Sequence, residues 1–215
     1  MPDRQIEWRN LGLVPYGEAL DLQMELHRQV VTNPQKGFCL LLEHPQVLTL
    51  GKHSDESFIL EDASTLRKSG VELFRTTRGG EVTAHMPGQI VVYPILPLNF
   101  WGISLRDYVN GLCESVKQTI AKYGISSNYG GDNPGVWVGN RKICAMGIRV
   151  KQRTSFHGIA LNVCNDLSLF SKIVPCGLAE HGVTSLSKET SMRTNQKEVE
   201  VLLQANIEKN LCLTS

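Results

Sequence analysis

The 215-residue sequence is short of cysteine, of net charge and of long apolar runs. Its six cysteines, Cys39, Cys113, Cys144, Cys164, Cys176 and Cys212, are too sparse for a disulfide-built scaffold. It has no Cys-x-x-Cys and no His-Glu-x-x-His. The nearest pairings, Cys39 with His44, His157 with Cys164 and Cys176 with His181, lack zinc spacing, so no metal is expected. Lys plus Arg is 22 against 21 for Asp plus Glu, and a net charge of +1 gives no reason to expect nucleic acid or an anionic membrane. Phe38 to Leu42 typifies the longest apolar runs, far below the ~18 residues of a membrane span. Met1 to Asn10 carries Asp3, Arg4, Glu7 and Arg9 and no signal-like apolar stretch. These absences lead us to expect a soluble, cytoplasmic protein whose thiols stay reduced.

Hydrophobic residues make up 41% and charged residues 20%, a globular balance. The length suits one domain, residues 1–215. Apolar periodicity predicts helices over Gly17 to Val31, Ser104 to Tyr123 and Gln196 to Asn210. Ser104 can cap the second and Gly124 can end it. Short apolar or alternating runs predict strands at 38–42, 47–50, 71–75, 90–96 and 159–163. Val136 to Val138, Gly139-Asn140 and Ile143 onward reads as a hairpin. Strands and helices interleave, so the class is α/β or α+β with much antiparallel pairing. Fourteen of the 19 glycines fall between Gly79 and Gly182, which directs attention to the middle of the chain.

Four segments there can carry chemistry. Arg78-Gly79-Gly80-Glu81-Val82-Thr83-Ala84-His85-Met86-Pro87-Gly88-Gln89 combines a tight glycine turn with polar groups that could wall a pocket. It is neither a Walker loop nor GxGxxG, and on composition alone a plain glycine turn before a strand with one satisfied histidine is the simpler reading. In the strand after Asn140, strict alternation places Lys142 on one face with Cys144 and Met146. A solvated lysine is the simpler alternative. Arg141, Lys142, Arg149, Lys151 and Arg153 form a basic run, either a docking face for an acidic partner or a solvated one. His157-Gly158 sits at the start of a predicted strand, where an imidazole can serve a site or bond to backbone. Cys176 lies between Pro175 and Gly177 in a predicted loop, a setting from which a thiol could reach a substrate; the other cysteines fall in apolar or periodic segments.

In this order and spacing the four segments resemble the octanoyltransferase family of lipoate biosynthesis, over roughly residues 17–187. The resemblance rests on Arg78-Gly79-Gly80 with Val82-Thr83, His85 and Pro87-Gly88-Gln89. Lys142-Ile143, His157-Gly158 with Ala160-Leu161-Asn162-Val163, and Pro175-Cys176-Gly177 before Val183-Thr184-Ser185-Leu186 complete it. Any one block is weak; four in register are specific. Ala84 and Met86 depart from the family, which usually has an aromatic residue and a glycine there, at positions expected to adjoin the acyl site.

The resemblance implies a mixed, mainly antiparallel sheet with flanking helices, as in the catalytic domains of lipoate and biotin protein ligases. It implies transfer of an octanoyl group from octanoyl-acyl carrier protein to a lysine of lipoyl domains, those of 2-oxoacid dehydrogenase complexes and the glycine cleavage H protein. No cofactor is implied. Cys176 would carry the acyl group as a thioester, with Lys142 as its acid/base partner. Arg78, Gly79, Gly80, Glu81, Val82, Thr83, Ala84, His85, Ala145, Met146, Gly147, His157, Gly158, Ile159 and Ala160 would bind the substrate. A free thiol is only about 3% thiolate at pH 7, and an ammonium that lowers its pKa by about two favours the thiolate by roughly 2.7 kcal/mol. An ATP-dependent ligase of the same fold, which needs no nucleophilic cysteine, and a non-catalytic carrier-binding protein are the alternatives.

Overall fold

The computed structural model describes residues 4–52, 54–129, 134–174 and 182–211. Residues 175–181, which include Cys176, and Cys212 lie outside them.

The main sheet runs in the order β1 (Gln5–Leu13), β2 (Lys36–Glu43), β6 (Gln89–Ile95), β10 (Thr154–Asn162), β9 (Arg141–Lys151), β8 (Gly135–Val138) and β7 (Asn128–Tyr129), with β11 (Gly182–Val183) added to β9. A small second sheet is ordered β4 (Glu72–Arg75), β3 (Val47–Leu50), β5 (Val82–His85). Pairing is parallel for β1 with β2, β3 with β4 and β11 with β9, and antiparallel elsewhere. The sheet is therefore mixed and mainly antiparallel, as expected.

The predicted helices form at α1 (Tyr16–Thr32), α3 (Leu105–Ala121) and α5 (Gln196–Asn210); α2 (Ala63–Lys68) and α4 (Leu186–Glu189) are short additions. The Ser104 side chain accepts from Asp107 N–H at 3.1 Å, which satisfies an end amide that would otherwise lack a partner. The apolar stripe of α3 follows its periodicity: Tyr108, Leu112, Val116 and Ile120 are buried against the sheet with Val199, Leu203 and Ile207 of α5. On the other face Ala19, Leu26 and Val30 of α1 cover Phe38, Leu40, Val91, Ile95 and Ala160.

Two parts of the sheet were not expected. Gln5 to Leu13 is a strand, where only a charged terminus was read. The runs at 38–42 and 47–50 do not share a sheet: Glu43-His44-Pro45-Gln46 carries the chain from the main sheet to the small one. The cleft between these two sheets holds the candidate site.

Candidate active site

A cavity with about 920 Å³ of empty space, part of it open to solvent, lies over the α1-facing side of β8, β9 and β10. Its wall beside β11 carries Lys142. This side chain is only 7% exposed, and its Nζ stands 4.7 Å from the centre of the Trp137 ring. The two residues are cross-strand partners in the β8–β9 hairpin. Gly139, at φ +56°, starts the two-residue turn with the positive φ that such hairpins use. A desolvated ammonium over an indole face gains from the ring quadrupole. The reading of Lys142 as a solvated side chain is therefore overturned.

The alternation that paired Lys142 with Cys144 also fails, because β9 has a bulge. Val136 pairs with Cys144 but Trp137 pairs with Lys142, so Ile143 is an extra residue. Ile143 and Cys144 both turn into the core under α3, whereas Lys142 faces the cavity. Cys144 does not line the cavity. Burial raises its thiol pKa far above the ordinary value.

Thirteen of the fifteen expected substrate-binding residues line the cavity: Arg78, Gly80, Glu81, Val82, Thr83, His85, Ala145, Met146, Gly147, His157, Gly158, Ile159 and Ala160. Gly79 and Ala84 do not. Gly79 N–H bonds to Ile148 O at 3.3 Å, bringing the glycine turn over β9. Gly147 eases that approach, since a Cβ there would lie 3.0 Å from Arg78 Cδ and 3.1 Å from Gly79 O. Ala84 and Met86 belong to a core cluster with Leu48, Leu66 and Phe170. Neither lines the cavity itself, but both pack against Val82 and Phe170, which do.

Arg78 is held rigidly. Its Nε and Nη2 donate to Thr49 Oγ1 at 3.1 and 2.9 Å, Nη2 also to Thr49 O, and Nη1 to Gly79 O at 3.0 Å. His85 Nδ1 lies 2.7 Å from Gln89 Oε1, and Gln89 Nε2 donates to Asn162 Oδ1 at 2.9 Å. Asn162 Nδ2 in turn donates to Thr184 O at 2.9 Å, next to the β11–β9 junction. Burial, with His44 nearby, holds the His85 pKa well below the usual histidine value.

His157 is not at a strand start. It sits in mid β10 at φ +56°. Ile159 and Leu161 point to the α3 side, so simple alternation would send His157 there too. The left-handed φ instead turns its ring beside Phe156 and Tyr93, with centroids at 4.7 and 6.5 Å, and onto the cavity. Tyr16, Tyr93, Trp137 and Phe170 also line the cavity and were missed. Of these, Trp137 was legible, since a two-residue turn at Gly139-Asn140 sets it opposite Lys142.

The description "lipoyl protein ligase A/B catalytic domain" belongs to the family model that matches residues 15–208. The chain belongs to that family. It is thus an enzyme. Among relatives named octanoyltransferase, that of Alkaliphilus metalliredigens (strain QYMF) is 43% identical over 180 residues, covering 83% of each chain. That of Maridesulfovibrio salexigens is 37% identical over 194 residues, covering 90% of this chain and 91% of its own. The fold is shared with the bi-partite lipoate protein ligase of Thermoplasma acidophilum: TM-score 0.69 at 15% identity, over 99% of this chain and 85% of that one. Among the described residues no group of His, Cys, Asp and Glu is placed to hold a metal ion. No described helix is long and apolar enough to cross a membrane.

Proposed function

We propose that the protein moves an octanoyl group from octanoyl-acyl carrier protein to a lysine of lipoyl domains, in the cytoplasm, as the first step of protein lipoylation. The acceptors are the lipoyl domains of 2-oxoacid dehydrogenase complexes and the glycine cleavage H protein. One observation carries this reading: a buried lysine, Lys142, on the wall of a cavity whose β9 and β10 walls include Ala145, Gly147, Ile159 and Ala160. Relatives named octanoyltransferase at 37–43% identity support it.

The chemistry runs in two transfers. The Cys176 thiolate attacks the carrier thioester, a carbon–sulfur bond forms to Cys176, and the carrier thiolate leaves with a proton donated by the Lys142 ammonium. The acceptor amine then attacks the new thioester, the now neutral Lys142 takes its proton, and the Cys176 thiolate departs as the amide forms. Cys176 lies outside the described residues. Its position in the chain falls between Val174 and Gly182, and Phe170 and Gly182 on either side both line the cavity, which supports a place for the thiol near Lys142.

Intact-mass spectrometry after incubation with octanoyl-carrier protein tests the reading. One octanoyl group should add to the wild type and none to Cys176→Ser. ATP-dependent ligation of free octanoate by Cys176→Ser would overturn it in favour of a ligase.

A further inference from the structure

The cavity runs along β10 away from Lys142. Asn162, which bonds to the β11 side, and His157 are five residues apart, about 16 Å of strand. That length accommodates a lysine stem and a medium acyl chain laid end to end, so His157 stands where the far end of the chain arrives.

His157 is only 1% exposed. Its backbone N–H donates to Gln23 Oε1 at 2.8 Å. Neither of its ring nitrogens, nor Gln23 Nε2, has a hydrogen-bond partner among the described residues. Burial, reinforced by Arg78 and Arg149, lowers the imidazole pKa to about 3, so the ring is neutral, with one donor and one acceptor nitrogen. Buried polar atoms of this kind are satisfied by ordered water or by what occupies the site.

Resting on the transferase reading, we propose that His157 gauges the length and polarity of the acyl tail. Its ring nitrogens hold water beyond the end of an octanoyl chain. A longer apolar chain must displace that water and leave the imidazole unpaired. A longer chain ending in a hydroxyl supplies the missing hydrogen bond. His157 is thus a specificity-determining residue, and the further substrates it admits are medium-chain acyl thioesters with a hydrogen-bonding terminus.

The test uses the full chain with carrier thioesters from octanoyl to dodecanoyl and their terminally hydroxylated counterparts. For wild-type protein kcat/KM should fall as the plain chain lengthens. At the first disfavoured length, a terminal hydroxyl should restore it about tenfold, the scale of one buried hydrogen bond left unmade. His157→Leu should abolish the hydroxyl advantage and raise the dodecanoyl-to-octanoyl ratio. If the hydroxyl confers no advantage at any length on wild-type protein, the proposal is overturned, whether or not the variant folds. If no thioester is accepted at all, the transferase reading fails instead. Calorimetric binding of decanoic against 10-hydroxydecanoic acid then still decides the gauge: tighter binding of the hydroxy acid supports it, and equal or weaker binding overturns it.

Discussion

The Tyr93 hydroxyl lies 2.8 Å from His44 Nε2, while His44 Nδ1 lies 2.6 Å from Val14 O. A carbonyl can only accept, so Nδ1 carries the proton and Nε2 receives the phenol's. A second proton on the ring would face the Tyr93 O–H, and burial lowers the His44 pKa to about 4. His157, at about 3, and His85 move in the same direction.

Acid should therefore destabilise the fold before carboxylates titrate. Between pH 6.5 and 4 the unfolded chain binds protons that these native rings refuse, so stability falls as pH falls, by up to about 1.4 kcal/mol per pH step per histidine. The stability is fully present above pH 6.5. Urea midpoints should drop steadily from pH 6.5 to 4.5, and His44→Gln should flatten part of the slope. A constant midpoint over that range would contradict this assignment.

Lys142→Met keeps the length and apolar stem but removes the amine. We expect acyl transfer to fall about 10²–10⁴-fold, the usual range for a lost acid/base group. Stability should change little. The pH profile of Cys176 alkylation by iodoacetamide should move upward; an unmoved profile would place the lysine's role elsewhere.

Gly158 lies against β6 so closely that a Cβ would stand 2.0 Å from Val92 O. That neighbour is backbone and cannot swing away. Gly158→Ala should cost about 2–3 kcal/mol through strand displacement and distort the cavity floor. Thermal or chemical denaturation would show it, and a loss under about 0.5 kcal/mol would mean that the sheet absorbs a methyl freely.

The β9–β10 turn has Gln152 at φ +49° and Arg153 at φ +63°. Both adopt a conformation that suits Asn-Gly far better. Replacing the pair with Asn-Gly should raise stability by roughly 1 kcal/mol or more, with acyl transfer unchanged. A lower melting temperature would mean that contacts of the Gln152 and Arg153 side chains outweigh the backbone strain.

Much of this was legible beforehand. The helices α1, α3 and α5 carry their faces in their spacing, and the hairpin around Gly139-Asn140 fixes its own register. The site residues were reached through motifs, and most of them do meet at one cavity. What failed were inferences from strict alternation. Lys142 and Cys144 are separated by an inserted residue, and His157 is turned by a backbone angle that no side chain of its type announces. The Gln5–Leu13 strand escaped because edge strands carry weaker apolar signals than buried ones. Tyr16 and Tyr93 came from distant segments with no local cue.

The inserted Ile143 has a wider consequence. It gives one strand two orientations within three residues, so an amine and a thiol that are near neighbours in the chain inhabit separate compartments. The thiol is walled into a dry interior, out of reach of electrophiles that the amine's compartment admits. Sequence distance here is no guide to chemical distance, and the sheet itself acts as a partition.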